Sequence, residues 1–273
     1  MKRFFLLAAV ILVAGCLSVN QSPSGSDYIS IDVTPSDVFT SGRATATLEF
    51  RNSGVTELRN VALSVFNAGA LAPQGCDFGA GPLAEELSVV RPGSFAVRSC
   101  TLNAPASIES GLITTDVEAS AKFSSTLSSV QTVSVISEEE YRIRQAKGEA
   151  VQSRPVFTNS DGRLKATMTF SEPMPVIVRK DKKTYMYMEI SNVGGGRIPW
   201  IDAGKVKIQE AGQKIVAADC ARQKLYIQGT AFPKIACEIS MPADVNYLDD
   251  HSILIRMDYD YEIRASKQVQ IRR

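Results

Sequence analysis

The sequence predicts an all-β protein of two tandem β-sandwiches, and three observations carry that prediction. Apolar and polar residues alternate over long stretches of the chain. Short clusters of turn-forming residues separate the alternating runs. The second half repeats the landmarks of the first in the same order.

The alternation is clearest in three places. Ile29, Ile31 and Val33 alternate with Ser and Asp. Ala46, Leu48 and Phe50 alternate with Thr45, Thr47, Glu49 and Arg51. Ile253, Ile255, Met257, Tyr259, Tyr261 and Ile263 alternate with Leu254, Arg256, Asp258, Asp260, Glu262 and Arg264. A period of two turns one face of a strand to a core and the other to water. Between the runs stand NSG, NAG, RPGS, SDG and NVGGG, which are turn chemistry. Short strands at regular spacing in each half predict a sandwich.

The repeat pairs Leu48–Gly54 (LEFRNSG) with Met188–Gly194 (MEISNVG), and Cys76 with Cys220. It also pairs Ser99–Pro105 (SCTLNAP) with Ala236–Pro242 (ACEISMP), and Leu112–Phe123 with Leu254–Ala265. Register kept through that many landmarks identifies an internal duplication. Of the five cysteines, Cys16 belongs to the N-terminal segment, which leaves two per half. Four cysteines allow three pairings, and the repeat favours Cys76–Cys100 and Cys220–Cys237. The alternative is four reduced, buried thiols.

The N-terminus supplies an address. Lys2 and Arg3 precede the apolar run FFLLAAVILVAGC. At about 1.5 Å per residue such a run is too short to cross a hydrocarbon core of roughly 30 Å, and it reads as an export signal. The ending Leu12–Cys16, LVAGC, resembles the lipobox of exported lipoproteins. The resemblance implies that Cys16 receives a diacylglyceryl group and becomes the mature N-terminus, anchored by two acyl chains. The alternatives are an uncleaved signal anchor and plain secretion. After it, Leu17–Asp27 is rich in Ser, Gly and Pro and reads as a flexible tether.

The expected organisation is therefore a signal peptide at 1–15, a lipidated tether at 16–27, a first sandwich at 28–136, a helical connector at 137–150 and a second sandwich at 151–273. In the connector, Ser137 and Glu140 fit a capping box. Glu138 with Arg142, and Glu140 with Arg144, are spaced for ion pairs along one helix face, and Gly148 fits a helix stop. Asn52–Gly54 with Arg91–Cys100, and Asn192–Gly194 in the second half, resemble the cell-adhesion-related immunoglobulin-like modules (CARDB type) of archaeal and bacterial surface proteins. The resemblance implies tandem immunoglobulin-like β-sandwich domains in a cell-surface setting.

Composition narrows the chemistry. With 273 residues, 44% hydrophobic and 22% charged, the chain has the make-up of a globular protein of two domains. Thirty Lys and Arg balance 29 Asp and Glu, so charge gives no case for nucleic acid. The single histidine, His251, lies in YLDDHS without G-x-S-x-G anywhere, and reads as a solvated surface residue rather than a catalytic base. Asp258, Asp260 and Glu262 share a strand face with Arg256 and Arg264, which fits a mixed-charge ladder better than a glycosidase pair. Asp249 and Asp250 offer too few oxygens for calcium, and no Cys/His spacing suits zinc. The loop Asn192–Trp200 lacks the Lys-Ser/Thr of a phosphate-binding loop, and its glycines read as positive-φ turn positions in a loop tip.

Tyr185, Tyr187 and Trp200 form the candidate binding surface. Met186, Met188 and Ile190 take the core, leaving both tyrosines outward, with Trp200 on the following loop. The expected function is non-catalytic: a membrane-anchored extracytoplasmic binding or structural protein of the cell envelope, without metal or cofactor, that meets an envelope protein or glycan at the outer face of the cell membrane. The alternative is a surface carbohydrate-processing enzyme or its accessory subunit.

Overall fold

The computed structural model describes residues 27–77, 89–179, 182–210, 215–217, 220–242 and 245–273. The signal segment, Cys16 and all of the tether except Asp27 lie outside the described residues. The fold is mostly β, with one helix among the described residues.

Three sheets carry the architecture. The first outer sheet runs in the order β1 (Tyr28–Thr34), β3 (Arg43–Arg51), β7 (Phe95–Asn103), β5 (Ala72–Asp77). The second runs β15 (Val216–Ala217), β17 (Ile235–Ser240), β12 (Thr184–Asn192), β10 (Leu164–Phe170), β9 (Phe157–Ser160). The central sheet runs β14 (Val206–Glu210), β18 (Asp249–Arg272), β8 (Leu112–Ser137), β4 (Leu58–Asn67), β6 (Val89–Val90). Two short strands join it in parallel: β2 (Asp37–Phe39) on the end of β18 and β11 (Val176–Val178) on the end of β8. A small separate pair is made by β13 (Trp200–Ile201) and β16 (Leu225–Tyr226).

The duplication is visible in this order. β1-β3-β7-β5 has the same topology as β10-β12-β17-β15, and β2 stands to β18 as β11 stands to β8. Core positions follow the predicted alternation: Ile29, Ile31, Val33, Ala46, Leu48, Phe50, Met186, Met188 and Ile190 are buried.

The central strands depart from two separately closed sandwiches. β18 is 24 residues long, and each of them has a register partner on β8, from Asp249↔Val135 to Arg272↔Leu112. Neither strand contains a Gly or Pro to end it. Both bury their odd-numbered residues over most of their length, so both outer sheets pack on one face of a sheet about 80 Å long. The last strand of each repeat therefore runs on into the other lobe, and the cores of both lobes form one contiguous cluster. The alignment that sets Leu112 against Leu254 also sets Ala121 against Ile263, and these two are direct register partners. A pseudo-twofold axis passes through that pair.

The helix α1 (Glu138–Ala146) forms with the predicted cap. Ser137 Oγ accepts from Glu140 N at 3.1 Å, and Glu138–Arg142 and Glu140–Arg144 pair at 3.0 and 2.7 Å. Gly148 follows at positive φ. Its position differs from the expectation of a connector holding two sandwiches apart. β8 delivers it to the far end of the second lobe, beside β11. The turn Arg91–Ser94 carries the chain from β6 of the central sheet to β7 of the outer one.

Candidate binding surfaces and the polar junction

Where the two lobes meet, the loops at the strand ends converge. Asn52 and Asn192 do the same work in each repeat. Asn52 Oδ1 accepts from Gly54 N (3.1 Å) while its Nδ2 donates to Thr56 O and Val90 O (both 2.9 Å). Asn192 Oδ1 accepts from Gly194 N (3.3 Å) and its Nδ2 donates to Gly196 O (2.8 Å). The N-x-G signature is thus a side-chain clamp on the loop that follows.

Between these clamps lies a buried charged cluster. Arg163, directly before β10, donates through Nε to Asp27, directly before β1, and through Nη1 to Ser125 Oγ at 3.3 Å. Asp161 Oδ1 accepts from the backbone N–H of Arg163 (3.0 Å) and Leu164 (2.9 Å), and its Oδ2 accepts from the Tyr259 hydroxyl. The side chains of Arg163, Asp27 and Asp161 are all buried. The guanidinium also stands 5.4 Å from the Phe123 ring centroid. Burial alone would lower the Arg163 pKa, but the hydrogen bond and charge of Asp27 outweigh it and raise the value. Burial, then the charge of Asp161, pushes the Tyr259 phenol well above its usual range, so it stays a protonated donor. The arrangement ties residues from both repeats together across the junction.

The glycine-rich loop is part of this junction. Among Gly194, Gly195 and Gly196 none has the positive φ expected from sequence. Instead a Cβ on Gly194 would lie 2.2 Å from Tyr261 Oη, and one on Gly196 2.6 Å from Tyr261 Cε1. Gly196 N donates to that hydroxyl at 2.7 Å. Gly194 and Gly196 are there for close approach to a buried ring, whereas Gly195 faces open space.

Sequence reasoning also misplaced His251. It is buried on β18, with Nδ1 2.7 Å from Glu210 Oε1 on β14. Its Nε2 lies 3.3 Å from Asp249 Oδ2 but lacks hydrogen-bond geometry there. Glu210 Oε2 accepts from Ile215 N at 2.8 Å, so the pair closes one end of the second lobe. Asp258, Asp260 and Glu262 do lie on a solvated strand face. Asp258 pairs with Arg256 (3.0 Å) and accepts from Thr126 (2.7 Å), Asp260 accepts from Ser124 (2.7 Å), and Glu262 pairs with Arg264 (2.8 Å). Hydrogen bonds from Thr126 and Arg256 outweigh the opposing effect of burial and lower the Asp258 pKa.

The predicted aromatic residues fall in two places. Tyr185 and Tyr187 stand half-buried on the outer face of β12. Tyr187 lines an open groove of about 450 Å³ with Arg154, Val156 and Glu172, and Lys234 Nζ lies 5.3 Å from its ring centroid. Trp200 is on β13, where its register partner is Tyr226. Lys224 Nζ stands 3.9 Å from the Trp200 ring centroid and 5.9 Å from that of Tyr226, and pairs with Asp202 at 3.2 Å. Both rings are exposed. Tyr226 was invisible to sequence reasoning because a two-residue strand leaves no alternation to read.

Cys220 and Cys237 are bridged, as the repeat favours. Cys100 is also a disulfide cysteine. Cys76 is its backbone register partner on β5, and the Cys76 side chain lies outside the described residues. Among the described residues no cluster of His, Cys, Asp and Glu could hold a metal, and no helix is long and apolar enough to cross a membrane. Comparison with protein-family models and with curated proteins finds no match for this chain.

Proposed function

We propose that this chain is a non-catalytic binding or structural protein of the cell envelope, lipid-anchored through Cys16 at the outer face of the membrane. It is built of two immunoglobulin-like sandwiches that exchange their last strands. The matched strand orders of the two halves support the architectural part of that reading. The lipobox sequence supports the anchor.

One observation carries the binding role: the Trp200–Tyr226 pair, exposed side by side with Lys224 across its face. Aromatic rings with a polar rim suit a glycan or a protein surface, since they combine apolar area with hydrogen-bonding edges. The test is retention of the full chain on isolated cell-wall polysaccharide, together with cross-linking on intact cells. The double variant Trp200→Ala/Tyr226→Ala keeps the fold and loses retention or its cross-linked partner. Unchanged capture of both kinds overturns the site. A Cys16→Ser chain that still extracts with the membrane overturns the lipid anchor.

A further inference from the structure

The chain enters the fold at its waist. Asp27 pairs with Arg163, and around Arg163 lie Phe123 and Ser125, at the middle of β8. Cys16 is eleven residues before Asp27, which allows a reach of at most about 40 Å. A lipid at Cys16 thus holds the molecule near the centre of its long axis.

Beside that entry point the outer face of the first outer sheet carries a group of exposed apolar residues. Tyr28, Arg51 and Phe95 are register partners across β1, β3 and β7, and Val97 is the next outward residue on β7. Tyr28 is 43% exposed, Phe95 61% and Val97 46%. Arg51 stands 5.8 Å from the Tyr28 ring centroid. Arg91 is exposed on the loop leading to Phe95 and has no ion-pair partner among the described residues. That loop is tied to the waist, since Gly93 N donates to Asn52 O and Asn52 N to Ser94 O. Val97 shares its row with Ser30 and Glu49, and Glu49 lies 3.6 Å from Arg51; one row further from the waist the same face becomes Asp32, Thr47 and Ser99.

The duplicated sheet lacks this patch. The outward residues at the waist end of β10 and β12 are Lys165, Thr167, Glu189 and Ser191, and Glu189 pairs with Lys234 at 2.9 Å. At the waist end, the repeat that follows the tether presents Tyr28, Phe95 and Val97 beside Arg51 and Arg91, whereas the second repeat's outward ring on β12, Tyr187 beside Lys234, lies further from the waist and is half-buried. The mixture at the waist suits the headgroup region of a bilayer, where rings and stems enter and guanidinium groups meet phosphates.

We infer that the Tyr28–Arg51–Phe95–Val97 patch, with Arg91, is a membrane-facing surface that seats the first outer sheet on a bilayer containing anionic lipid. The inference rests on the Cys16 anchor. It lays the long axis along the membrane and turns the open face of the central sheet, with its Ser, Thr, Asp and Arg side chains, away from it.

The test uses the full lipidated chain in vesicles of phosphatidylcholine and phosphatidylglycerol with brominated acyl chains. Phe95→Trp is compared with Glu189→Trp on the equivalent face, the wild-type chain supplying the Trp200 background. The added indole of Phe95→Trp shifts to the blue and is quenched on vesicle addition, and that of Glu189→Trp is not. A chain that pellets with vesicles while the Phe95→Trp indole stays unquenched leaves the anchor standing and overturns the patch. A chain that does not pellet overturns both. A Phe95→Trp indole already blue-shifted without vesicles, with cross-linking between copies, overturns the membrane assignment in favour of self-association.

Discussion

Asp27 and Arg163 sit in topologically equivalent places, each immediately before the strand that follows it in the outer sheet of its own repeat, and they form a buried ion pair with each other across the junction. The duplication has thus placed opposite charges at matching positions and turned the seam between the repeats into a specific contact. Arg163 Nη1 is also 3.9 Å from Asp161, so one cation faces two carboxylates. Removing it leaves both buried without a counter-charge. Arg163→Met is expected to lower stability by about 3–5 kcal/mol, read from urea unfolding. A loss under about 1 kcal/mol, the scale of exposed pairs, contradicts a buried lock.

Tyr259 makes the same cluster sensitive to alkali. Its phenol is held protonated by burial and by the Asp161 charge, so its folded pKa lies above the unfolded value of about 10. The unfolded chain therefore loses this proton first as pH rises. The Tyr259 contribution is complete below pH about 10 and is lost progressively above it. Tyr259→Phe should flatten the decline in stability above pH 10. It also leaves Asp161 one donor short, at a cost of about 1–3 kcal/mol at neutral pH. An unchanged alkaline slope in the variant assigns the pH dependence elsewhere.

Adjacent glycines give an internal control for the packing of the junction loop. A methyl on Gly194 meets the Tyr261 hydroxyl, whereas one on Gly195 meets nothing within 4 Å. Gly194→Ala is expected to cost about 1–3 kcal/mol, and Gly195→Ala to leave the thermal midpoint within the scatter of surface changes. Equal effects from the two substitutions count against the close approach to Tyr261.

The Cys220–Cys237 bridge closes a sequence separation of 17 residues. A loop of that size corresponds to about 3 kcal/mol through the entropy of the unfolded chain. The double substitution Cys220→Ala/Cys237→Ala should lower the unfolding free energy by that order under non-reducing conditions. A loss well below it means that the surrounding strands hold this region without the staple.

The strands and the helix cap were legible because alternation and the Ser137–Glu140 spacing lie within a few residues of one another, and the duplication because its short landmarks recur in the same order in the second half. The shared sheet was not. Ser125 and Ser129 occupy buried positions of β8, and they interrupt the apolar period that would have shown the strand continuing beyond Phe123. Ser125 is buried because it accepts from Arg163, a partner 38 residues away, and no local pattern encodes that. His251 misled for a related reason. Its polar neighbours Asp249 and Asp250 suggested solvent, while the carboxylate that accommodates it, Glu210, comes from another strand. Of the candidate surface, Trp200 was readable as an exposed ring, but its partner Tyr226 belongs to a strand too short to recognise.

The exchange of last strands has a thermodynamic consequence. Had each repeat closed its own sandwich, the lobes could unfold separately, as domains with small interfaces do. Here β8 and β18 contribute core residues to both lobes, among them Phe123, Leu127, Val133, Val135, Ile253, Tyr261 and Ile271. Opening one lobe strips partners from the strands of the other, so the two are expected to melt in a single calorimetric transition whose van't Hoff and calorimetric enthalpies agree. Hydrogen exchange should be slowest at the centre of the β8–β18 ladder, around Ala121 and Ile263, and faster toward β2 and β11 at its ends. Two resolved transitions, each with its own protected strands, would mean that the lobes are held by their outer sheets and that the long ladder frays between them.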